Sequence, residues 1–422
     1  MNNRWLQLVL GIVAMVMIAN LQYGWTLFVS PLQAAHGWSK ASIQFAFTLF
    51  VLFQVWLVPA TGYLVDRFGP RPFVALAGVL VGASWLIYAH AATLPELYGG
   101  AVFGGIGAGI VYGTMIGAAV KNFPDRRGMA AGLTAAGFGG GAALTIVPIS
   151  HMIKDDGYAA AFQTFGLVQG AVIFVAALFM QRVVRSAASV QADPPRSAAQ
   201  TRHDRTPLDM LRTPQFYLLY IMFVMVATGL LFMTAQLAPL AKDYGIAGVK
   251  VNFLGTVFVV VELALIVDNV LNGVSRIVFG AISDYLGRER TMFVAFSIEA
   301  VGLFGLLLCA ANPVLFIVFA GMTFVASGEI YSLFPAACTD LFGSKYATTN
   351  AGFLYTAKGM ASFVVPIGSA IQHSSGSWSG VLGVLAAFNV IVALLALFVL
   401  KPMRERALAA EGPALPVAGA PA

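Results

Sequence analysis

Charge is scarce in this sequence, and cysteine is almost absent. Lysine, arginine, aspartate and glutamate make up only 10% of the 422 residues, whereas 59% of the residues are hydrophobic. A soluble domain cannot bury that much apolar surface, so the composition indicates a chain surrounded by lipid. Only two cysteines occur, Cys309 and Cys338, and both lie in apolar segments. A disulfide framework is therefore excluded.

Patterns for metal, nucleotide or catalytic chemistry are also missing. No pair among the five histidines has the spacing of a metal site, so we expect neither a metal nor a cofactor. The glycine run GFGGGA has no lysine after it and no strand before it, which excludes a phosphate-binding loop. Since no nucleophile stands beside a candidate base either, the sequence argues against an enzyme and against an ATP-driven pump.

What the sequence has in abundance is long apolar runs. A helix needs about 20 apolar residues to cross the hydrocarbon core, and backbone exposed to lipid must satisfy its own hydrogen bonds. We therefore predict an all-α membrane protein of twelve transmembrane helices in two pseudo-symmetric six-helix bundles. The runs cover approximately 6–29, 43–65, 72–90, 97–119, 128–151, 160–182, 215–240, 256–283, 291–310, 313–337, 347–371 and 377–400.

Positive charge and polar segments set the topology and the domain limits. With a cytoplasmic N-terminus, 18 of the 24 lysines and arginines fall on the cytoplasmic side, so the positive-inside rule predicts that both termini are cytoplasmic. The net charge of +6 is thus a topology signal, and nucleic-acid binding is not expected. Residues 183–214 are polar and contain prolines, which predicts a linker between bundles 1–182 and 215–401. Residues 402–422 are expected to be a disordered tail.

The two halves share a loop motif, which indicates an internal duplication. GYLVDRFGPRP, beginning at Gly62, and GAISDYLGRER, beginning at Gly280, have glycine, aspartate and glycine at the same spacing. Each stretch lies where an even-numbered span meets the cytoplasm. Agreement at equivalent places in both halves points to a repeat, and parallel six-helix repeats build the central site of one class of transporter.

This motif carries a resemblance to the major facilitator superfamily. The first copy reproduces that superfamily's G-x-x-x-D-R-x-G-x-R loop, and the second copy departs from it with Tyr285 where a basic residue is expected. The resemblance covers the twelve spans and the linker, and it implies that these loops latch a cytoplasmic gate. A loop aspartate facing a helix N-terminus suits that role. The residues that we assign to the gate are Asp66, Arg67, Arg71, Asp284 and Arg288.

Two cations lie inside the predicted spans, where a charge costs at least ~2.5 kcal/mol. Counting about 1.5 Å per residue from the cytoplasmic ends, Arg276 is roughly 12 Å deep and Lys358 roughly 16 Å deep. Cations at one depth repel each other unless an anion comes between them, and a small carboxylate would fit. Asp268, Asn272 and Arg276 follow one helix face. Tyrosines at comparable depths offer ring walls and hydroxyls for a small polar ligand.

Longer stretches resemble the oxalate/formate antiporter family within the superfamily. They include LQYGWTLFVSP, GAGIVYG, LNGVSRIVFGAISD and NAGFLYTAKGMAS. The resemblance implies a bacterial inner-membrane carrier, monomeric by the superfamily's default, that exchanges small carboxylates. It also implies that Arg276 and Lys358 bind the substrate carboxylates in a cavity lined by Gln22, Tyr23, Gln44, Tyr112, Tyr331 and Tyr355.

The sequence departs from that family pattern at four positions. Phe138 stands where tyrosine is expected, Ser327 where tryptophan is expected, and Asp268 where glutamine is expected, while Glu329 is an additional acid. If Asp268 and Glu329 were ionised, the site would lose its net positive charge. They are therefore protonated or turned away, or they serve as counter-ions to the cations, or they carry protons during transport.

These alternatives give two transport mechanisms. Two bare cations should make crossing of the empty carrier costly, so exchange would be obligatory. If Asp268 or Glu329 can neutralise the cations without substrate, the protein would be a proton-coupled symporter of monocarboxylates such as lactate or formate. Polar residues cluster at one depth, which favours a carrier over a channel. A transport-like sensor remains a distant alternative.

Overall fold

Helices make up almost all of the described chain. The computed structural model describes residues 3–181, 200–201, 203–363, 371–372 and 374–410. The N-terminal half consists, in this part of the chain, of α1 (Arg4–Tyr23), α2 (Thr26–His36), α3 (Lys40–Trp56), α4 (Val58–Phe68), α5 (Pro70–His90), α6 (Leu94–Asn122), α7 (Arg127–Asp155) and α8 (Tyr158–Phe179).

The C-terminal half repeats this pattern and adds one hairpin. A short helix, α9 (Pro207–Leu211), precedes it. Its described elements are α10 (Pro214–Asp243), β1 (Lys250–Phe253), β2 (Thr256–Val259), α11 (Val260–Leu286), α12 (Arg288–Cys309), α13 (Pro313–Ser327), α14 (Ile330–Phe342), α15 (Ala347–Ser362), α16 (Ser379–Leu395), a π-helical turn (Ala396–Leu400) and α17 (Lys401–Ala410). The strands β1 and β2 pair antiparallel, with Lys250 opposite Val259.

These helices form the twelve predicted spans. Among the described residues, nine helices are long and apolar enough to cross a membrane, and the pair α3 and α4, bent by 42°, makes a tenth. Helix α7, which is rich in glycine and alanine, and helix α15 complete the set. Spans one, two and ten are each broken near the middle, at Gly24, Leu57 and Gly328. The fold prediction is therefore confirmed.

Glycine closes the same turn in both halves. Gly69, at the end of span two, has φ of 92°, and Gly287, at the end of span eight, has φ of 93°. This left-handed conformation is easy only for glycine. It ends one helix and lets the next begin at once, so the repeat seen in the sequence is also a repeat of backbone geometry.

Small residues let the halves approach each other closely at spans five and eight. A Cβ on Gly128 would overlap the Gly280 carbonyl oxygen, and a Cβ on Gly132 would overlap the Arg276 carbonyl oxygen. Close contact of backbones through small residues is the usual way that helices pack in lipid. We call the end of the bundle that carries Arg4 and Ala410 the terminal face.

Three boundary expectations need correction. Span eight begins at Val260 rather than 256, because residues 250–259 form the hairpin. The predicted linker is structured at 203–212, where Met210 is fully buried. The predicted disordered tail is helical as far as Ala410, where Arg404 bonds to Glu289. The described parts of these two segments pack on the ends of the spans. Residues 182–199 and 202 of the predicted linker, 364–370 of predicted span eleven and 411–422 of the predicted tail lie outside the described residues.

Candidate functional site

Two buried cations face one tyrosine ring at mid-depth. Arg276 on α11 is 1% exposed and Lys358 on α15 is 3% exposed. The guanidinium carbon of Arg276 lies 4.7 Å from the centroid of the Tyr331 ring, and Nζ of Lys358 lies 5.8 Å from the same centroid. The two cations therefore lie at a similar depth in the bundle, as the sequence predicted. A tyrosine face stabilises nearby cations through its quadrupole.

Arg276 is oriented by neutral groups. Its Nε and Nη2 donate to Oδ1 of Asn272 at 3.2 and 2.7 Å, and its Nη1 donates to the backbone carbonyl of Ala135 on α7 at 3.0 Å. Gly139 makes room for the group, since a Cβ there would lie 3.1 Å from the guanidinium carbon. No described carboxylate forms an ion pair with Arg276 or Lys358. Their charge is therefore held in place without being neutralised.

Aromatic rings close around the two cations. The rings of Tyr112 and Tyr355 stack with centroids 4.6 Å apart, and Tyr331 lies 6.2 Å from Tyr355. Lys358 Nζ donates to the Tyr355 hydroxyl at 3.1 Å, and the Tyr23 hydroxyl interacts with Arg276. Tyr23, Tyr112, Tyr331 and Tyr355 are thus brought together, as the sequence predicted. Phe138, where tyrosine was expected, packs against Tyr23 and Tyr112.

A small cavity adjoins this aromatic layer on the side of the terminal face. Tyr112, Tyr331 and Tyr355 belong to its wall, whereas Arg276 and Lys358 do not. The remaining lining residues are Val58, Gly113, Ile116, Phe223, Pro335, Ala351, Gly352 and Leu354. The tyrosines therefore separate the two cations from an apolar vestibule.

The structure distinguishes the glutamines. Gln22 precedes Tyr23, and its buried Oε1 has no hydrogen-bond partner in the described part of the chain. Gln44 lies in the second turn of α3, near the face opposite the termini, and is only half-buried. The sequence analysis missed Gln54, which is fully buried near the middle of span two and whose amide atoms bond to none of the described residues. A polar side chain in the middle of the run 43–65 was the available signal.

The intramembrane acids do not pair with the cations. Asp268 is 6% exposed and lies eight residues from Arg276, about 12 Å along the helix axis. Among the described residues Asp268 forms no ion pair, so the interpretation of Asp268 as the counter-ion of Arg276 is wrong. Glu329 lies at the break between α13 and α14 and is fully buried. Its carboxylate oxygens have no hydrogen-bond partner among the described residues.

At the terminal face, an aspartate of each half binds a helix start of the other half. Asp66 accepts hydrogen bonds from the backbone N–H and the hydroxyl of Thr349, at 2.9 and 2.6 Å, and pairs with Lys121. Asp284 accepts from the backbone N–H groups of Gly128 and Met129, both at 2.9 Å. These two contacts, which we call the paired latch, join the two halves, and the gate role of Asp66 and Asp284 stays a prediction.

Buried ion pairs reinforce the latch. Asp340 accepts from Arg127 at 2.6 Å and from Arg288 at 2.9 Å, and Arg288 also pairs with Asp284 at 2.6 Å. Sequence analysis missed Lys121, Arg127 and Asp340 because their role depends on contact between the two halves. Two predicted gate residues are not in the latch: Arg67 and Arg71 are exposed, and Arg67 lies over the Phe68 ring.

The positions of these contacts define the conformation. In the described part of the chain, most hydrogen bonds between the two halves lie at the terminal face, while the bond from Arg276 to Ala135 joins them at mid-depth. The structure is therefore a state that is closed on the terminal face.

Comparison with known proteins agrees with this architecture. The profile of the Major Facilitator Superfamily matches residues 10–268 and 237–420. The oxalate:formate antiporter of Oxalobacter formigenes is 36% identical over 406 residues, which cover 96% of this chain and 93% of that protein.

Solved structures share the fold. The proton:xylose symporter XylE bound to 6-bromo-6-deoxy-D-glucose superposes with a TM-score of 0.71 at 14% identity, covering 93% of this chain and 94% of that chain. FucP in the outward conformation superposes with a TM-score of 0.68 at 12% identity, and the match covers 93% of this chain and 98% of that chain. These likenesses concern the fold alone, whereas the profile and the antiporter cover nearly the whole sequence. The chain, a multi-pass membrane protein, belongs to the major facilitator superfamily.

Proposed function

We propose that this protein is a secondary transporter that exchanges small carboxylate anions, such as oxalate and formate, by alternating access. The observation that carries the proposal is the pair Arg276 and Lys358, which face one tyrosine ring without an acidic partner among the described residues. A carboxylate between them would neutralise charges that are otherwise expensive in lipid. The 36% identity with an oxalate:formate antiporter supports the same substrate class.

The surroundings suit a small anion. The Tyr23 and Tyr355 hydroxyls lie beside the cations, and stacked rings leave little room for a long side chain on the ligand. Arginine offers a planar fork that matches a carboxylate, while lysine acts as a point charge. A dianion with two carboxylates would engage both cations, and a monoanion would engage one more strongly than the other.

Alternating access would move this site between the two faces. The paired latch holds the terminal face closed, so the site would open to the opposite face, and breaking the latch would reverse the access. We place the terminal face in the cytoplasm, because it carries most of the lysine and arginine residues. We place the protein in a bacterial inner membrane and expect it to act as a monomer.

Exchange follows from the charge of the empty site. When the anion leaves, two buried cations remain at one depth, and their repulsion and desolvation oppose the conformational change. A second anion removes this barrier by neutralising them. The loaded carrier therefore crosses faster than the empty one.

Counterflow in proteoliposomes tests the proposal. Vesicles are filled with unlabelled oxalate, formate, lactate or no anion, and uptake of the labelled anion is measured for the wild type, Lys358→Gln and the control Lys250→Gln, which alters an exposed residue of β1. We expect internal anion to accelerate uptake, and Lys358→Gln to reduce it at least tenfold, equivalent to about 1.4 kcal/mol. Lys250→Gln should match the wild type. Absence of counterflow with all three anions would refute the proposal.

A further inference from the structure

A second buried carboxyl group accompanies Glu329. Glu299 on α12 and Glu329 are both fully buried, and all four of their carboxylate oxygens lack hydrogen-bond partners among the described residues. The Ser327 hydroxyl beside Glu329 and the Asn389 side-chain carbonyl on α16 are likewise without a partner. Buried polar atoms are normally bonded, so these orphan groups need an explanation.

Glu329 lies within reach of the charges of Glu299 and Arg276. Glu299 faces α10, since a Cβ on Gly229 would lie 2.8 Å from its Oε1 and 3.5 Å from Nδ2 of Asn389. The charged groups acting on Glu329 are Glu299 on α12 and Arg276 on α11. The side chain facing Glu299 from α16 is the neutral Asn389. Arg276 uses its hydrogen bonds elsewhere, so neither acid has a bonded cation in the closed state.

Two carboxyl groups in this environment are expected to be protonated. An ionised carboxylate without hydrogen bonds is very costly in a medium of low dielectric constant, and a second one nearby adds repulsion. Both groups are therefore neutral in this closed state. If Glu329 loses its proton, its carboxylate attracts Arg276 and offsets the positive charge left when the substrate departs.

We propose that Glu299 and Glu329 form a proton-binding pair that switches the carrier between two modes. With both acids neutral, the emptied site keeps two bare cations and only exchange occurs. When Glu329 releases a proton, the emptied carrier can return, and net uptake of anion with a proton results. This inference rests on the proposed carboxylate transport, and it assigns coupling to the pair rather than to Asp268, which lies away from Arg276.

The test separates the two modes in the same vesicles. Net uptake of labelled formate or oxalate into anion-free vesicles is driven by an inward proton gradient, and a trapped pH dye reports proton entry. Counterflow is measured in parallel as the test of transport itself. The variants are Glu329→Gln, Glu299→Gln, the rival Asp268→Asn and the control Glu262→Gln, which alters the first turn of α11 at the opposite face.

We expect the wild type to move protons with the anion. Glu329→Gln should lower the number of protons that enter per anion taken up at least tenfold. Glu299→Gln should shift the pH at which net uptake is half-maximal, and Glu262→Gln should match the wild type. Thermal unfolding confirms that each variant folds. Wild-type counterflow without proton-linked net uptake would overturn this inference and leave exchange standing. Loss of proton movement in Asp268→Asn but not in Glu329→Gln would also overturn it.

Discussion

Arg276 shows how a membrane protein keeps a cation available for a ligand. Its three donor atoms bind an amide oxygen and a backbone carbonyl oxygen, both neutral, and its face lies on Tyr331. These contacts fix the orientation and reduce the cost of burial without cancelling the charge. An acidic partner would have been more stabilising but would compete with an anionic substrate.

This geometry predicts that lysine cannot replace Arg276. Lysine has one nitrogen and cannot bond to Asn272 and Ala135 while presenting a fork to a carboxylate. We expect Arg276→Lys to reduce counterflow of oxalate at least tenfold, about 1.4 kcal/mol. Arg71→Lys, an exposed substitution, should have no effect. Counterflow in Arg276→Lys equal to that of the wild type would show that charge alone is sufficient.

At this scale, sequence identified the charges better than their partners. Arg276, Lys358 and four tyrosines were found because polar groups stand out in apolar runs. Asn272 was placed on the right face, but Asp268 was wrongly considered as a counter-ion, since a shared helix face does not imply contact at a distance of two turns. Lys121, Arg127 and Asp340 act through tertiary neighbours, which no local pattern reveals, whereas Gln54 stood out as a polar side chain in an apolar run.

Among the elements, α7 and α11 bring the two halves together at the site. Gly128 and Gly132 on α7 meet Gly280 and the Arg276 carbonyl on α11, and the same pair of helices supplies Ala135, Asn272 and Arg276. The spans were predictable from length and composition. Their breaks at Gly24, Leu57 and Gly328 and the hairpin β1–β2 were not, because they interrupt runs whose composition stays apolar.

Adding a single methyl group on α7 should prevent the closed state. A Cβ at Gly132 would overlap the Arg276 carbonyl oxygen, whereas one at Gly140 would meet no atom within 4 Å. Backbone overlap cannot be relieved by a side-chain rotation, so Gly132→Ala should lower counterflow at least tenfold, about 1.4 kcal/mol. Gly140→Ala should match the wild type. Equal transport by the two variants would show that α7 and α11 separate without penalty.

The whole molecule is organised around its pseudo-two-fold repeat. Each half contributes one aspartate to the paired latch, and each half receives the aspartate of the other at a helix start. The duplicated loop motif predicted this symmetry from sequence. Its partners, the first residues of α7 and α15, could not be identified until the halves were placed in contact.

Removing the charge of Asp340 should open the terminal face. Asp340 bonds to Arg127 and Arg288, and these side chains are 4–7% exposed. Asp340→Asn leaves Arg127 buried without its carboxylate partner and Arg288 with Asp284 alone, at a cost of about 3 kcal/mol. The reporter is Ile116→Cys in the cavity wall, in a protein whose native cysteines are replaced by serine. We expect this cysteine to react faster with a maleimide when Asp340→Asn is also present.

Asp125→Asn is the matched control, because Asp125 pairs with Arg4 in an exposed ion pair at the same face. Such pairs contribute about 0–1 kcal/mol, so the reactivity of the cysteine should hardly change. Equal reactivity in the Asp340→Asn and Asp125→Asn backgrounds would mean that the buried ion pairs do not hold the face closed.

The paired latch also bears on how such a chain could arise. Three of its donors are main-chain N–H groups, which every residue except proline possesses, so these bonds do not depend on the side chains of Met129 or Thr349. Gly128 must stay small because a Cβ there would overlap the Gly280 carbonyl oxygen. Because each half is both donor and acceptor, two identical copies of one half would form both contacts across a symmetry axis. A single ancestral six-helix half could thus have formed both latch contacts as a homodimer before gene fusion. The two fused copies could then diverge in sequence and keep these contacts.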